Sequence, residues 1–475
     1  MNLKQLYPFL GISTDVMGIT ANSKKVRPNF IFVAIKGKHT NGMYYVDEAL
    51  QKGACLIITD QMVLGRYNHV RVPDAKKEYI RLLQLFYHYQ HNIYTVGITG
   101  TDGKTTTATI LNHILNLAES SAYIGTNGIN YLNKIIPLRH TTPTPDTLYE
   151  AYSVLRKHQI NNMVLEVSSE GLLDERVENL IFDGAIYTNL SHEHLNTHKT
   201  MYHYFKTKAR LFESLDKNAL AIINSDDPFA YTLIKRTKSK VVTYGINSGL
   251  YQAKNIKLNF DKSTFDVYFK DILLDHYTLP LFGQYNIYNA LAAIAYASEL
   301  GIDLNIIKQA IQTIKPISGR FMYCTHQDIT GIVDFAHTPN ALENLLLNIK
   351  SFAKNRIILV LGAAGEKDKS KRSKMGNIAA IDADITIFTS EDPKNENIFG
   401  ILKDLTKNLH NQDYYLTLSR KEAIQLATKL AKKDDIIVIT GKGNEQNERV
   451  YGYLFKHNDF EYLQQALINK INVSQ

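Results

Sequence analysis

Apolar residues form two alternating patterns along the chain. Short unbroken runs read as strands buried on both faces: Ile31-Phe32-Val33-Ala34-Ile35, Ala54-Cys55-Leu56-Ile57-Ile58, and the segments 94–98, 163–167, 184–188 and 220–224. Segments with helical spacing lie between them. Over 104–118, Ile110, Leu111, Ile114 and Leu115 share one face. A second helix opens at Pro145, a favoured first helical position, with Leu148, Ala151, Tyr152 and Leu155 on one side. The run 81–91 is expected to link the first block to the next. After Pro316 the alternation resumes, with strands over 331–334, 357–361, 384–388 and 435–440 and one helix opening at Thr338-Pro339. Strands alternating with helices imply parallel sheets covered on both faces. The expected architecture is α/β in three domains: an N-terminal α/β domain over 1–90, a central P-loop ATPase-like parallel-sheet domain over 91–315, and a Rossmann-like C-terminal domain over 316–475.

Composition narrows the class without naming it. A chain of 475 residues exceeds the ~150–250 at which one core usually stops growing, which agrees with several domains. Hydrophobic residues at 44% and charged residues at 21% are those of an ordinary globular protein. The net charge of +8 suits an anionic substrate. No basic, aromatic-interleaved stripe accompanies it, so no nucleic-acid partner is expected. Two cysteines, Cys55 and Cys324, make neither a disulfide scaffold nor a zinc cluster. The N-terminus lacks the apolar core of a signal peptide, and no run approaches the ~18 apolar residues of a membrane span. A soluble, cytoplasmic protein is expected.

The sharpest chemical signal is Gly97-Ile98-Thr99-Gly100-Thr101-Asp102-Gly103-Lys104-Thr105-Thr106-Thr107. It lies between a strand and a helix, where a phosphate loop belongs. Small residues admit phosphate oxygens to the backbone N–H groups, and the helix N-terminus adds positive potential. Lys104 is placed to neutralise β/γ-phosphate charge, and Thr105 to hold Mg²⁺. Ile98 departs from the general spacing, so a Gly-rich turn with a solvated lysine is the alternative. Downstream, Glu166 sits inside an apolar strand, where a carboxylate must be paired, neutralised or metal-bound. Its readings are a Mg²⁺ ligand or a salt-bridged core residue. Asn189-Leu190-Ser191-His192-Glu193-His194 follows a strand and suits an active site; His192 takes no assignment. Lys206, Lys208 and Arg210 read by composition as a solvated basic face. In the last block Arg320 offers a fork for phosphate, Asp334 follows a strand, and Gly-rich exits stand at 362–368 and 441–445.

Together these motifs resemble the Mur ligase family, in the branch that adds the third amino acid, over nearly the whole chain. Gly100-Thr101-Asp102-Gly103-Lys104-Thr105-Thr106 is similar to that family's G-T-[ND]-G-K-[ST]-T, a form that accounts for Ile98. Asn286-Ile287-Tyr288-Asn289-Ala290 resembles its nucleotide segment, and Gly319-Arg320 with Asp334-Phe335-Ala336-His337-Thr338-Pro339 its later ATP motifs. The resemblance implies ATP contacts from Asn286, Asn289, Arg320, Asp334 and His337. It implies metal ligation by Thr105, Glu166, His194 and Lys208, the last carrying a carbamate. Lys104, Glu166, His194 and Lys208 would be the catalytic set. The N-terminal block resembles the UDP-binding portion, which implies that Ser23, Lys38, His39 and Thr40 meet UDP, while Thr141, Thr142, Ser168 and Arg176 hold the muramoyl-dipeptide. The implied reaction is ATP-dependent addition of a diamino acid to UDP-N-acetylmuramoyl-L-alanyl-D-glutamate through an acyl phosphate, in peptidoglycan precursor synthesis, by a monomeric enzyme using Mg²⁺.

Departures cluster at two places. Glu170 stands where relatives commonly carry His, and Asp174 where Gln is common. At the acceptor end, Glu391-Asp392-Pro393-Lys394 replaces D-N-P-R, and Lys367 replaces a second Arg. Lysine keeps the charge but loses the planar fork. With Gly441 and Glu445, these residues are the expected amino-acid site, and Glu391, Asp392 and Glu445 incline the expectation towards L-lysine over meso-diaminopimelate. The alternatives are a related ligase with another carboxylate donor and a catalytically idle ATP-binding subunit.

Overall fold

The computed structural model describes residues 1–37, 40–409 and 413–471. Two compact units emerge. One comprises Met1–Thr95, Ser120–Met163 and Glu170–Ile181; the other comprises Val96–Glu119, Val164–Ser169 and everything from Phe182 onward.

The first unit is built on a parallel sheet whose four strands, Gly18–Thr20, Phe30–Val33, Ala54–Thr59 and His69–Arg71, lie in chain order. Alternate side chains leave opposite faces. Ile31, Val33, Leu56 and Ile58 pack into one core with Leu82 and Leu83. Phe32, Ala34 and Ile57 pack into another with Val46 and Ala49. That double burial is why these runs are continuously apolar. The segment expected to be a linker begins inside a helix, Ala75–Phe86, capped by Asp74, whose carboxylate accepts the Lys76 and Lys77 N–H groups. Ile80, Leu82 and Leu83 bury its inner face, so packing turns 81–86 into helix. The same unit holds the helix Pro145–Lys157 and an antiparallel meander, Ser121–Gly125, Gly128–Tyr131 and Lys134–Ile136.

Among the described residues the second unit holds two large sheets and a two-stranded antiparallel ribbon, Asn447–Val450 with Tyr453–Lys456. In the first, Tyr94–Thr99, Gly184–Tyr187, Leu220–Asn224 and Lys240–Gly245 pair in parallel in that spatial order. The sheet then continues into Tyr251–Asn259, Lys262–Phe269 and Ile272–Leu279, a meander that turns antiparallel and that the sequence pattern did not announce. Helices Lys104–Ala118 and Gln284–Glu299 accompany it. The second sheet orders its strands Met322–His326, Ile329–Asp334, Ile436–Thr440, Ile357–Leu361, Ile385–Phe388 and Tyr414–Leu416. All its pairings are parallel except the first. Ile357, Leu359 and Leu361 face one apolar layer, and Ile358 and Val360 the other. Both sheets present the carboxyl ends of their parallel strands to loops, and those loops carry the chemistry.

Candidate active site

The strand Tyr94–Thr99 delivers the loop 100–103 directly into the helix Lys104–Ala118. Gly103 has φ +85°, and a Cβ there would stand 2.3 Å from Asn289 Oδ1, so no other residue fits without displacement. Lys104 curls back over the loop, its Nζ donating to the carbonyls of Gly100 at 3.1 Å and Thr101 at 2.8 Å. Burial lowers its pKa, an effect opposed by the nearby Glu166 and Asp102 carboxylates. The Thr105 hydroxyl donates to Glu166 Oε2 at 2.9 Å, and Glu166 is fully buried. Glu166 thus meets a hydroxyl of the phosphate loop, with the Lys104 ammonium nearby.

Asp102 organises the loop through its backbone and its side chain. Its N–H donates to Asn189 Oδ1 at 2.9 Å, and its Oδ2 accepts from Ser191 Oγ at 3.2 Å and Thr338 Oγ1 at 3.4 Å. Asn289 accepts from Thr107 Oγ1 at 3.3 Å and donates to Asn286 Oδ1 at 3.1 Å, which ties the nucleotide segment to the same helix. Arg320 lies over the Phe335 ring at 4.5 Å. Asp334 spends both oxygens on backbone amides, those of Phe321 at 2.7 Å and Ala336 at 2.8 Å, so it shapes the turns that carry Arg320 and His337. Burial, with Lys371 and Arg320 nearby, pushes His337 well below its usual pKa and keeps it neutral.

Lys208 corrects the composition-based reading. It is 2% exposed rather than part of a solvated face, while Lys206 on the same helix is exposed. Its Nζ donates to the Gly100 carbonyl at 2.7 Å and lies over the Tyr204 ring at 4.6 Å. Burial and Lys104 hold its pKa well below the ordinary lysine value, which favours the unprotonated amine. His194 takes the left-handed backbone, φ +57°. Burial first, then Lys208 and Lys367, drives its pKa down to about 2. A neutral imidazole is the form that ligates metals. Thr105, Glu166, His194 and Lys208 thus share one neighbourhood around the phosphate loop. Among the described residues no group of three or more His, Cys, Asp or Glu is poised as a metal cage. A buried hydroxyl–carboxylate pair beside a phosphate loop is the donor chemistry of Mg²⁺, which takes a few protein oxygens and completes its shell with phosphates and water. The residues fit that ion.

At the expected amino-acid site three exit loops converge. Gly365 donates its N–H to the Asp392 carbonyl at 2.9 Å, and a Cβ on Gly365 would stand 1.9 Å from the Pro393 carbonyl oxygen. Asp392 Oδ1 accepts the Arg449 N–H at 2.6 Å, and Glu445 pairs with Lys442 at 2.9 Å. Glu391 is buried against Gly441, its pKa raised by burial, and its Oε2 has no hydrogen-bond partner. Lys394, also in the left-handed region, has its pKa lowered by burial and then by Lys367. Arg420, which sequence reasoning missed, underlies this end. Fully buried, it donates to the Ser390 carbonyl at 3.3 Å and the Thr440 carbonyl at 2.6 Å, and it pairs with Asp459 at 2.7 Å. It therefore fixes the two strand exits that carry Glu391 and Gly441. No motif marks it; its role exists only once both exits are in place.

Of the expected donor-substrate residues, Thr141, Thr142 and Arg176 lie in the first unit. Arg176 donates to the Thr142 carbonyl at 3.0 Å and pairs with Asp174 at 2.8 Å, and Thr141 meets Thr126 at 3.1 Å. Asp174 thus has a cationic partner beside it. Ser23 donates to Glu48 at 2.6 Å, and Thr40 to the Tyr45 hydroxyl at 3.1 Å. Lys38 and His39 lie outside the described residues, and Ser168 belongs to the second unit.

Comparison with known proteins adds sequence evidence to this geometry. Residues 98–297 match the Mur ligase middle domain, and residues 319–443 match the family described as Mur ligase, glutamate ligase domain. A UDP-N-acetylmuramoyl-L-alanyl-D-glutamate–2,6-diaminopimelate ligase of Caldanaerobacter subterraneus is 36% identical, the alignment covering 96% of this chain and 95% of the relative. A ligase of the same description from Clostridium acetobutylicum is 34% identical over 97% and 96%. A solved structure of such a ligase superposes with a TM-score of 0.67 at 28% identity, covering 99% of both chains.

Proposed function

The chain belongs to the Mur ligase family and is an ATP-dependent amide-forming ligase, and on that premise we propose that it extends UDP-N-acetylmuramoyl-L-alanyl-D-glutamate by one diamino acid. The observation that carries this reading is the phosphate loop with Glu166, His194 and Lys208 gathered around it, in a chain that aligns along nearly its whole length with ligases of that description. The same proposal assigns 1–90 to the UDP-substrate, 91–315 to ATP and 316–475 to the amino acid, and it places the enzyme in the cytoplasm, where both nucleotides are made.

The ATP γ-phosphoryl group passes to the donor's terminal carboxylate, giving an acyl phosphate and ADP. The acceptor amine attacks the acyl carbon, the amide bond forms, and inorganic phosphate leaves with the bonding electron pair. The loop amides, Lys104 and Arg320 hold the phosphates and screen their charge. Asn286 and Asn289 hold the nucleotide segment against the loop. Thr105, Glu166, His194 and a carbamate on Lys208 would hold Mg²⁺, which supplies charge neutralisation on the transferring phosphoryl group when bound. The carbamate forms when the unprotonated Lys208 amine adds to CO₂ and releases one proton, turning a cation into a carboxylate ligand.

For the acceptor, meso-diaminopimelate is favoured. The relatives that align along nearly the whole chain are described as adding that amino acid, and Glu445 pairs with Lys442 while Lys394 lies near Lys367. A distal carboxylate suits that charge. L-Lysine is the second reading, favoured by the unpartnered oxygen of Glu391. The test is phosphate release from ATP with the UDP-muramoyl-dipeptide and each of diaminopimelate, lysine and ornithine, with product mass read in every tube. Release and a tripeptide mass with one amino acid name the acceptor. No release with any of them, from protein that still binds ATP, overturns the donor assignment.

A further inference from the structure

His194 is held in place from a distant part of the chain. It stands on the short loop between the strand Gly184–Tyr187 and the helix Leu195–His198, in the left-handed backbone region. Its neighbours on both sides are gripped by the segment that follows the exit loop 362–368. On one side, Glu193 is 2% exposed, and both of its oxygens lie 3.1 Å from Lys371 Nζ. On the other, the Leu195 N–H donates to Asp368 Oδ2 at 3.3 Å. One residue further back, His192 Nε2 meets Ser370 Oγ at 2.9 Å. Lys371 is itself buried, and it also donates to the His337 carbonyl at 2.6 Å.

We propose that Lys371 and Glu193 are positioning residues that set His194 for metal binding, so that the half of the catalytic unit carrying the acceptor loops completes the metal site of the half carrying the phosphate loop. The proposal rests on the reading of His194 as a metal ligand. A buried ion pair is a poor way to gain stability alone, because an apolar pair of similar volume usually does as well. Its distinctive yield is geometry: one ammonium, two carboxylate oxygens and a carbonyl fix the loop at a single register. The adjacent Asp368–Leu195 hydrogen bond fixes the other flank, leaving His194 little freedom between them. His192, unassigned by its motif, is part of the same clasp. Because Lys371 follows the loop that carries Lys367, a change on the acceptor side is transmitted to the metal ligand through four residues of chain.

The test uses the full chain and Mn²⁺ as the probe, its binding read by electron paramagnetic resonance in the presence of a non-hydrolysable ATP analogue. Lys371→Met and Glu193→Gln should each weaken Mn²⁺ binding by about 10–100-fold, the usual effect of removing a group that orients a metal ligand. Lys371→Arg should recover most of it. In metal-free protein, amide hydrogen exchange over 191–195 should accelerate in Lys371→Met while exchange over 100–106 stays as in the parent. His194→Ala is the control and should lose Mn²⁺ binding. If His194→Ala binds as the parent does, the metal reading fails and the proposal falls with it. If His194→Ala loses Mn²⁺ while Glu193→Gln and Lys371→Met both retain it, the metal reading stands and the positioning role is overturned. Should Lys371→Met fail to fold, Glu193→Gln, which keeps the side chain's shape, decides.

Discussion

The two ends of the catalytic unit are built on different principles. The phosphate end is almost contiguous: seven residues, Gly100 to Thr106, supply the loop amides, the lysine and the hydroxyl, and one strand–helix junction aims them. The acceptor end is assembled from Gly365, the segment Glu391–Lys394 and the segment Gly441–Glu445, with Arg420 beneath holding two strand exits by their carbonyls. A contiguous site tolerates little substitution, because each residue serves a fixed local geometry. An assembled site can change at one loop while the others keep their places.

The comparison breaks most sharply at Lys104. Lys104→Ala should lower turnover by about 10²–10³-fold or more, the scale on which one preorganised charge-stabilising group acts, while the far-UV circular dichroism and the melting temperature stay close to those of the parent. Unchanged turnover would remove the phosphate-loop assignment.

Lys208→Ala comes next, with an expected loss of about 10–100-fold as for a removed group of a metal site. A small carboxylate such as formate should restore part of it, and depletion of CO₂ should mimic the loss in the parent. Full activity without rescue would exclude the carbamate.

At the assembled end, Arg420→Lys keeps the charge but loses the fork that joins Asp459 to the Ser390 and Thr440 carbonyls. Stability should fall by about 1–3 kcal/mol through the unmade hydrogen bonds. The KM for the acceptor amino acid should rise while the KM for ATP holds. Equal changes in both constants would mean that Arg420 supports the whole unit rather than one end of it.

The smallest effect concerns acid. Hydrogen bonding to Arg372 is the main cause that lowers the Glu396 pKa from its ordinary 4.5 to about 2. A carboxylate depressed in the folded state contributes stability that is present above its unfolded value and is lost as pH falls towards the folded one. Melting temperatures of the parent should therefore drop between about pH 4.5 and 2 more steeply than those of Glu396→Gln. Parallel curves would show that Glu396 adds nothing there.

Much of the fold was legible because its causes are local. The run at 357–361 is apolar at every position and that at 220–224 at all but Asn224, and each became a strand buried on both faces. Thr338-Pro339 opened a helix as expected, with the Thr338 hydroxyl accepting the Ala341 N–H. The segment 81–91, expected to link two blocks, carries the second half of an amphipathic helix that begins six residues earlier, at Ala75, and buries Leu82 and Leu83. The antiparallel meander from Tyr251 to Leu279 escaped notice because its strands alternate buried with partly buried or exposed positions and carry no long apolar run.

The sequence by itself determined the alternating α/β order, the phosphate loop and the positions of the strand exits, since each depends on residues within a turn or a strand of one another. The tertiary structure alone decided that Lys208 is buried against a carbonyl 108 positions away, that Lys371 meets Glu193 across 178, and that Arg420 joins Asp459 across 39. Burial and ion pairing are properties of neighbours in space. Whether a lysine is a solvated cation or an unprotonated amine is settled only when the fold has removed the water around it.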